Sequence, residues 1–127
     1  MDGGRAVGAT PGISVGAVHD PDSARAEALS AATGARTHDT LASILADERV
    51  HVVYVAVPHD LLAPIARTAL LAGHHVLVEK PMAITAGAID DLEALAHLGK
   101  RTLGVFYEMR FAPAAITARA LVRGGAI

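Results

Sequence analysis

Three short stretches place reactive side chains where an apolar run gives out. Glu79-Lys80-Pro81 follows the run His75 to Val78. An ammonium at a strand end can point at a substrate hydroxyl, orient it and favour loss of its proton. On residue types alone, Lys80 reads better as an ordinary surface lysine after a strand. Glu79 reads either as a contact to backbone or cofactor, or as a plain solvated or paired carboxylate. Pro81 fixes a turn, and its preceding bond can be cis or trans. Asp20 closes the run Ile13 to Val18. A carboxylate there can accept hydrogen bonds from both hydroxyls of a ribose and would repel a 2′-phosphate. It reads equally as a turn or capping aspartate, since Asp20-Pro21-Asp22 begins a helix. Asp22 itself suits the cap or first turn, where anions are favoured. Ala56-Val57-Pro58-His59 ends the strongest apolar run. Small residues there let a ligand come close to the backbone. His59 could touch that ligand, or His59 or Asp60 could cap the next helix.

The elements that must carry these residues alternate in type. Strands are expected at Ile13 to Val18, briefly at Ala35 to Thr37, and at Val50 to Val57, His75 to Val78 and Thr102 to Phe106. Helices are expected from a start at Asp20-Pro21-Asp22 to near Gly34, from Leu41 to Ala46 capped by Asp39 or Thr40, and from Leu61 to Ala72 ended by Gly73. Two more run from Thr85 to about Leu98, stopped by Gly99, and from Pro113 to Val122. Pro21 suits a first helical turn, because the N–H that proline lacks is unpaired there anyway. Val50 to Val57 is nearly all apolar and β-branched, which suits a strand covered on both faces. Alternating strands and helices build a parallel sheet through crossover helices, so the expected fold is α/β, doubly wound, of Rossmann type. The crevice beyond the carboxyl ends of its strands is where ligands lie.

Composition excludes several classes of function. The chain has 127 residues, 52% of them hydrophobic, a formal charge of −2 and no cysteine. One domain with a genuine core is expected, and disulfides and thiolate chemistry are ruled out. No basic run exceeds Lys100-Arg101, so neither nucleic acid nor a membrane is an expected partner. The opening residues do not form a signal peptide, and no run approaches the roughly 20 apolar residues of a membrane span. A cytoplasmic protein is the expectation. The seven histidines include no i,i+4 pair and no H-E-x-x-H, so no metal site is expected. No serine sits in G-x-S-x-G, which leaves a hydrolase triad without support.

The segment VVYVAVPHDLLAPIARTALLAGHHVLVEKPMAIT resembles the glucose-fructose oxidoreductase / inositol dehydrogenase / MocA family. Its signature is a hydrophobic strand ending in proline, a helix, then Gly-x-His-Val-Leu-Val-Glu-Lys-Pro. AVHDPDSARAEAL is similar to that family's second strand and helix, and GVFYEMRFAP to its sixth strand and following Arg-Phe-x-Pro. The likeness covers about Ile13 to Ile127. It implies an NAD(P)-dependent oxidoreductase that moves hydride between nicotinamide and a sugar, polyol or related hydroxyl compound. It makes Lys80 the catalytic candidate and Asp20, Ala56, Val57, Pro58, His59, Glu79, Lys80 and Arg110 the cofactor-binding candidates, with NAD favoured over NADP. Where His59 stands, the family commonly has asparagine. Arg110 resembles an arginine on the nicotinamide or substrate side of the cleft, and reads equally as an interface or helix-capping arginine.

Two departures qualify the resemblance. Family members open with a strand, G-x-G-x-x-G and a helix, whereas Ile13 is preceded by twelve residues without clear period, expected as a loose stub over 1–12. The expected division is that stub and a partial Rossmann domain over 13–127. The family's substrate domain, which supplies an aspartate and a histidine acting on the substrate hydroxyl and carries the main subunit contacts, is not expected within this sequence. A homo-oligomer is left open. A pyrophosphate is normally held by backbone N–H groups of the glycine-rich turn and the helix dipole behind it. Weak or no NAD binding by residues 1–127 alone is therefore expected, and calorimetry showing micromolar affinity would overturn this. In the usual strand order the first strand is central, so the strands at Ile13 to Val18 and Val50 to Val57 must pair directly, be bridged, or leave the chain poorly stable. A non-catalytic nucleotide sensor or scaffold, or an inactive gene fragment, are the alternative readings.

Overall fold

The computed structural model describes residues 9–126; residues 1–8 of the expected stub lie outside it, as does Ile127. Its elements are β1 (Ala17–Val18), α1 (Ser23–Thr33), β2 (Arg36–Thr37), α2 (Leu41–Leu45), β3 (Val52–Val55), α3 (His59–Leu71), β4 (His75–Glu79), α4 (Ala86–Gly99), β5 (Leu103–Phe106), a 3-10 turn (Glu108–Phe111) and α5 (Pro113–Arg123).

Local chemistry sets most helix ends. The Asp22 carboxylate accepts from Ala24 N–H, Thr40 Oγ1 from Ser43 N–H and Thr85 Oγ1 from Ala88 N–H, each satisfying a donor that a helix start leaves unpaired. Gly34 closes α1 with φ 76, the left-handed region that glycine enters without a Cβ penalty. The end of α4 differs from expectation. Gly99 stays helical, and Lys100 turns left-handed with φ 53, its N–H reaching back to Ala96 and His97 carbonyls. The 3-10 turn has no glycine or proline within it to announce it, and the sequence gives no sign of it.

All strand pairs are parallel, in two separate sheets. β1 pairs with β2, Ala17 opposite Arg36 and Val18 opposite Thr37. β3, β4 and β5 form the other sheet, with Val53 beside Val76 and Val76 beside Leu103, then Val55 beside Val78 and Val78 beside Val105. Among the described residues β1 and β3 do not pair, so direct pairing of these two strands is not how the fold is closed. This corrects two strand lengths. The Ile13 to Val18 strand shrinks to Ala17–Val18, because only short β2 offers it a ladder. The Val50 to Val57 strand shrinks to Val52–Val55.

The expectation that β3 is covered on both faces also fails. Val53 and Val55 are buried under α3, while Val52, which points the other way, is 57% exposed. The core is the layer between that one sheet face and the helices α3 and α4. Leu62, Ala66, Ala69 and Leu70 recur at helical spacing along one side of α3 and meet Val53, Val55, Val76 and Val78, with Leu92 and Ala96 of α4 alongside. No helix among the described residues is long and apolar enough to cross a membrane.

Two polar devices bind the periphery to this core. Asp47, its side chain only 8% exposed, takes Arg36 at 2.5 Å and Arg49 at 2.9 Å, with His38 Nε2 at 3.6 Å, and so ties β2 to the end of α2. Buried His74, in the turn before β4, faces two backbone carbonyls at 2.9 Å: Nδ1 meets Val50 and Nε2 meets Leu45. His74→Leu keeps the bulk and strips both contacts. It is expected to lower unfolding free energy by roughly 1–3 kcal/mol, the cost of leaving polar groups unpaired under cover. Urea titration reads the change, and an unaltered midpoint rules the clamp out.

Candidate active site

The carboxyl ends of β3, β4 and β5 share one edge of the three-stranded sheet, and most of the candidate residues are gathered there. Ala56 and Val57 continue from β3, and Pro58 is the N-cap of α3, with no side-chain capping bond. His59 is the first residue of α3, so the capping role considered for His59 or Asp60 is not taken up; Asp60 sits in the first turn, where the helix dipole favours it. The His59 ring is exposed and makes no hydrogen bond among the described residues.

Glu79 is the last residue of β4 and Lys80 the next, joined to Pro81 through a cis peptide bond. Both oxygens of Glu79 are engaged: Oε1 accepts the Tyr54 hydroxyl at 2.5 Å, and Oε2 accepts the Lys80 backbone N–H at 3.2 Å. Glu79 thus makes a backbone contact, and its other oxygen meets a phenol and not a cation. The Lys80 side chain is exposed and has no partner among the described residues, which leaves all three of its donors free.

Arg110 lies in the 3-10 turn beyond β5, where its guanidinium lies over the Phe111 ring at 5.9 Å. It lines an open groove of about 430 Å³ together with Tyr107, Met109, Ala115 and Arg119. It caps no helix. Asp20 stands apart, beyond the end of β1 in the two-stranded sheet. Its Oδ1 accepts the Asp22 N–H at 2.8 Å, the turn role, and its Oδ2 has no partner among the described residues. The turn contact and a ribose contact are compatible, since a carboxylate has about four acceptor positions.

Sequence reasoning missed Tyr54 and Glu108. A phenol inside an apolar strand needs a partner for its hydroxyl, and that requirement was the available signal. Burial first, then the hydrogen bond and charge of Glu79, then the charge of Glu108, push the Tyr54 phenol well above its ordinary range. Glu108 Oε2 is buried without a hydrogen-bond partner among the described residues.

These residues meet part of what a dinucleotide needs. A free carboxylate oxygen of Asp20 suits the ribose, small side chains after β3 permit close approach, and the Lys80 ammonium and the Arg110 guanidinium stand beyond β4 and β5. A glycine-rich turn for the pyrophosphate is not found after β1, where His19-Asp20-Pro21 follows. Parallel strands, crossover helices and reactive groups at the strand ends together define a dinucleotide-binding α/β domain of the Rossmann type. The model of the oxidoreductase family with an NAD-binding Rossmann fold matches residues 3–107. The chain belongs to this glucose-fructose oxidoreductase / inositol dehydrogenase / MocA family.

Its relatives are much longer. It is 38% identical over 89 residues to dTDP-3,4-didehydro-2,6-dideoxy-alpha-D-glucose 3-reductase of Streptomyces antibioticus, covering 70% of this chain and 27% of that one. It is 30% identical over 118 residues to inositol 2-dehydrogenase of Rubrobacter xylanophilus, covering 92% and 34%. The crystal structure of GenD2 from gentamicin A biosynthesis, in complex with NAD, superposes with a TM-score of 0.90 at 34% identity, over 95% of this chain and 36% of that one. KijD10, a 3-ketoreductase of Actinomadura kijaniata in complex with NADP, gives 0.89 at 27% identity over 98% and 38%. The chain therefore spans about a third of the length of the proteins it matches.

Proposed function

We propose that this chain is the cofactor-side part of an NAD(P)-dependent oxidoreductase acting on a sugar, polyol or related hydroxyl compound. The observation that carries this is the gathering of Ala56 to His59, Glu79, Lys80 and Arg110 beyond the carboxyl ends of adjacent parallel strands. When bound, the nicotinamide supplies the hydride acceptor or donor. Asp20 Oδ2 would take the ribose hydroxyls, and its charge disfavours a 2′-phosphate, so NAD is the preferred form. Ala56, Val57 and Pro58 let the dinucleotide lie close to backbone, with His59 and Glu79 beside it. Lys80 would hold the substrate hydroxyl and favour loss of its proton, and Arg110 would face the nicotinamide or the substrate.

Absorbance of NADH formed from a panel of polyols and sugars, by the gene product that carries this chain, tests the proposal. Turnover of at least one hydroxyl compound is expected. Nicotinamide binding without turnover of any would sink the oxidoreductase reading in favour of a nucleotide sensor.

A further inference from the structure

On the sheet face turned away from α3 and α4, three strands contribute to one arrangement. The Tyr54 ring of β3 is tilted against Phe106 of β5, centroids 5.6 Å apart at 59°. Between them on β4, Leu77 stands beside Gly104, where an added Cβ would sit 3.4 Å from the leucine. The phenol is thus held by its ring, and its hydroxyl meets Glu79 Oε1 at 2.5 Å. The other oxygen of that carboxylate holds the backbone N–H of Lys80 at 3.2 Å. Because burial and the neighbouring carboxylates suppress its ionisation, Tyr54 remains a donor throughout the neutral and mildly alkaline range.

Lys80 has a long stem and, among the described residues, no side-chain hydrogen bond or ion pair, so its backbone decides where the ammonium starts from. The 3.2 Å bond to its N–H is a modest one. It persists only if the carboxylate cannot swing away, and a charge-assisted bond from a packed phenol prevents that swing.

We propose that Tyr54 is a positioning residue for Lys80, acting through Glu79. The phenol locks the carboxylate, and the carboxylate locks the main chain from which the ammonium projects. This rests on the reading of Lys80 as the residue that handles the substrate hydroxyl. Phe106 serves as the buttress for the ring.

The test uses Tyr54→Phe, which keeps the ring against Phe106 and removes only the hydroxyl. Amide hydrogen exchange, followed by NMR on the isotope-labelled chain, is expected to accelerate about tenfold at Lys80 while the amides of Val76 to Val78 keep their rates. In a Glu79→Gln background the same change should add little, because the link is already broken. Lys80 and Lys100 are the two lysines of the sequence. In Lys100→Arg protein, isotopic reductive methylation labels Lys80 and the α-amino terminus, and the signal that Lys80→Arg abolishes is that of Lys80; it is expected to shift and sharpen in Tyr54→Phe.

An unchanged Lys80 exchange rate overturns the proposal, as does equal acceleration along all of β4, which would mark a merely structural tyrosine. Additive effects of the two substitutions remove Glu79 from the route. Failure of the catalytic reading looks different: Lys80→Ala would retain hydride transfer while the exchange result stood.

Discussion

Lys80→Ala is expected to slow hydride transfer by about 10²–10⁴-fold, the usual contribution of a positioned proton-transfer group. The substitution removes an exposed side chain that makes no hydrogen bond or ion pair among the described residues. Folding should therefore be indifferent to it, and the melting temperature should stay within the scatter typical of surface changes. The loss should appear in kcat more than in the affinity for dinucleotide, since the ammonium is assigned to the substrate hydroxyl. Lys80→Arg is expected to be nearly as slow. A guanidinium keeps the charge and the reach, but it does not give up a proton in the working range. Steady-state rates of both variants, with circular dichroism as the control for folding, check the result. Undiminished turnover by Lys80→Ala would remove the residue from the mechanism.

Leu62→Ala should cost about 2–5 kcal/mol of stability. Leu62 is fully buried on the inner side of α3, among Val55, Val78, Ala66 and Leu92. Ala66, one turn further along the helix, is too short to fill the void, and the β-branched valines opposite have stiff rotamers. The cavity should therefore collapse little, which places the cost toward the upper part of that range. The whole core is one layer deep, so a large share of the chain's margin is at stake. Guanidinium titration measures the effect, and a loss below about 1 kcal/mol would mean that the layer repacks.

The features that could be read from the sequence were local ones. Asp22, Thr40 and Thr85 cap helices because each helix start presents donors within three residues of a short oxygen-bearing side chain. Gly34 ends α1 for an equally local reason. The order of strands and helices followed from runs such as Val50 to Val57. Strand length did not follow, because a strand extends only as far as its neighbours supply partners. Ile13 to Val18 has suitable residues and a two-residue ladder. Lys100 was missed because nothing in its type announces a left-handed turn; the backbone return from α4 to Arg101 imposes it.

In the site, the strand-end positions of Ala56 to His59, Glu79 and Lys80 were legible because parallel strands place their ends on one edge. The bond between Tyr54 and Glu79 joins residues 25 positions apart, and that of His74 to Leu45 joins residues 29 apart. Neither spacing belongs to a helix or a hairpin, so only the register of β3 on β4 could bring the first pair together. Arg110 was placed by resemblance alone, and the 3-10 turn that presents it had no sequence signal.

The division into two sheets has a dynamic consequence. β1, α1 and β2 share no ladder bonds with β3, and their tie to the remainder includes the ion pairs of Asp47, a small area beside the apolar layer under α3. Such a unit opens at a lower free energy than the sheet that carries the core. Amides at Arg36 and His38, bonded to Gly16 and Val18 carbonyls, should thus exchange long before those of Val76 and Val78. Asp20 rides on the softer unit and Lys80 on the firmer one, so on the proposed reading a dinucleotide reaching from one to the other would rest on ground of unequal rigidity.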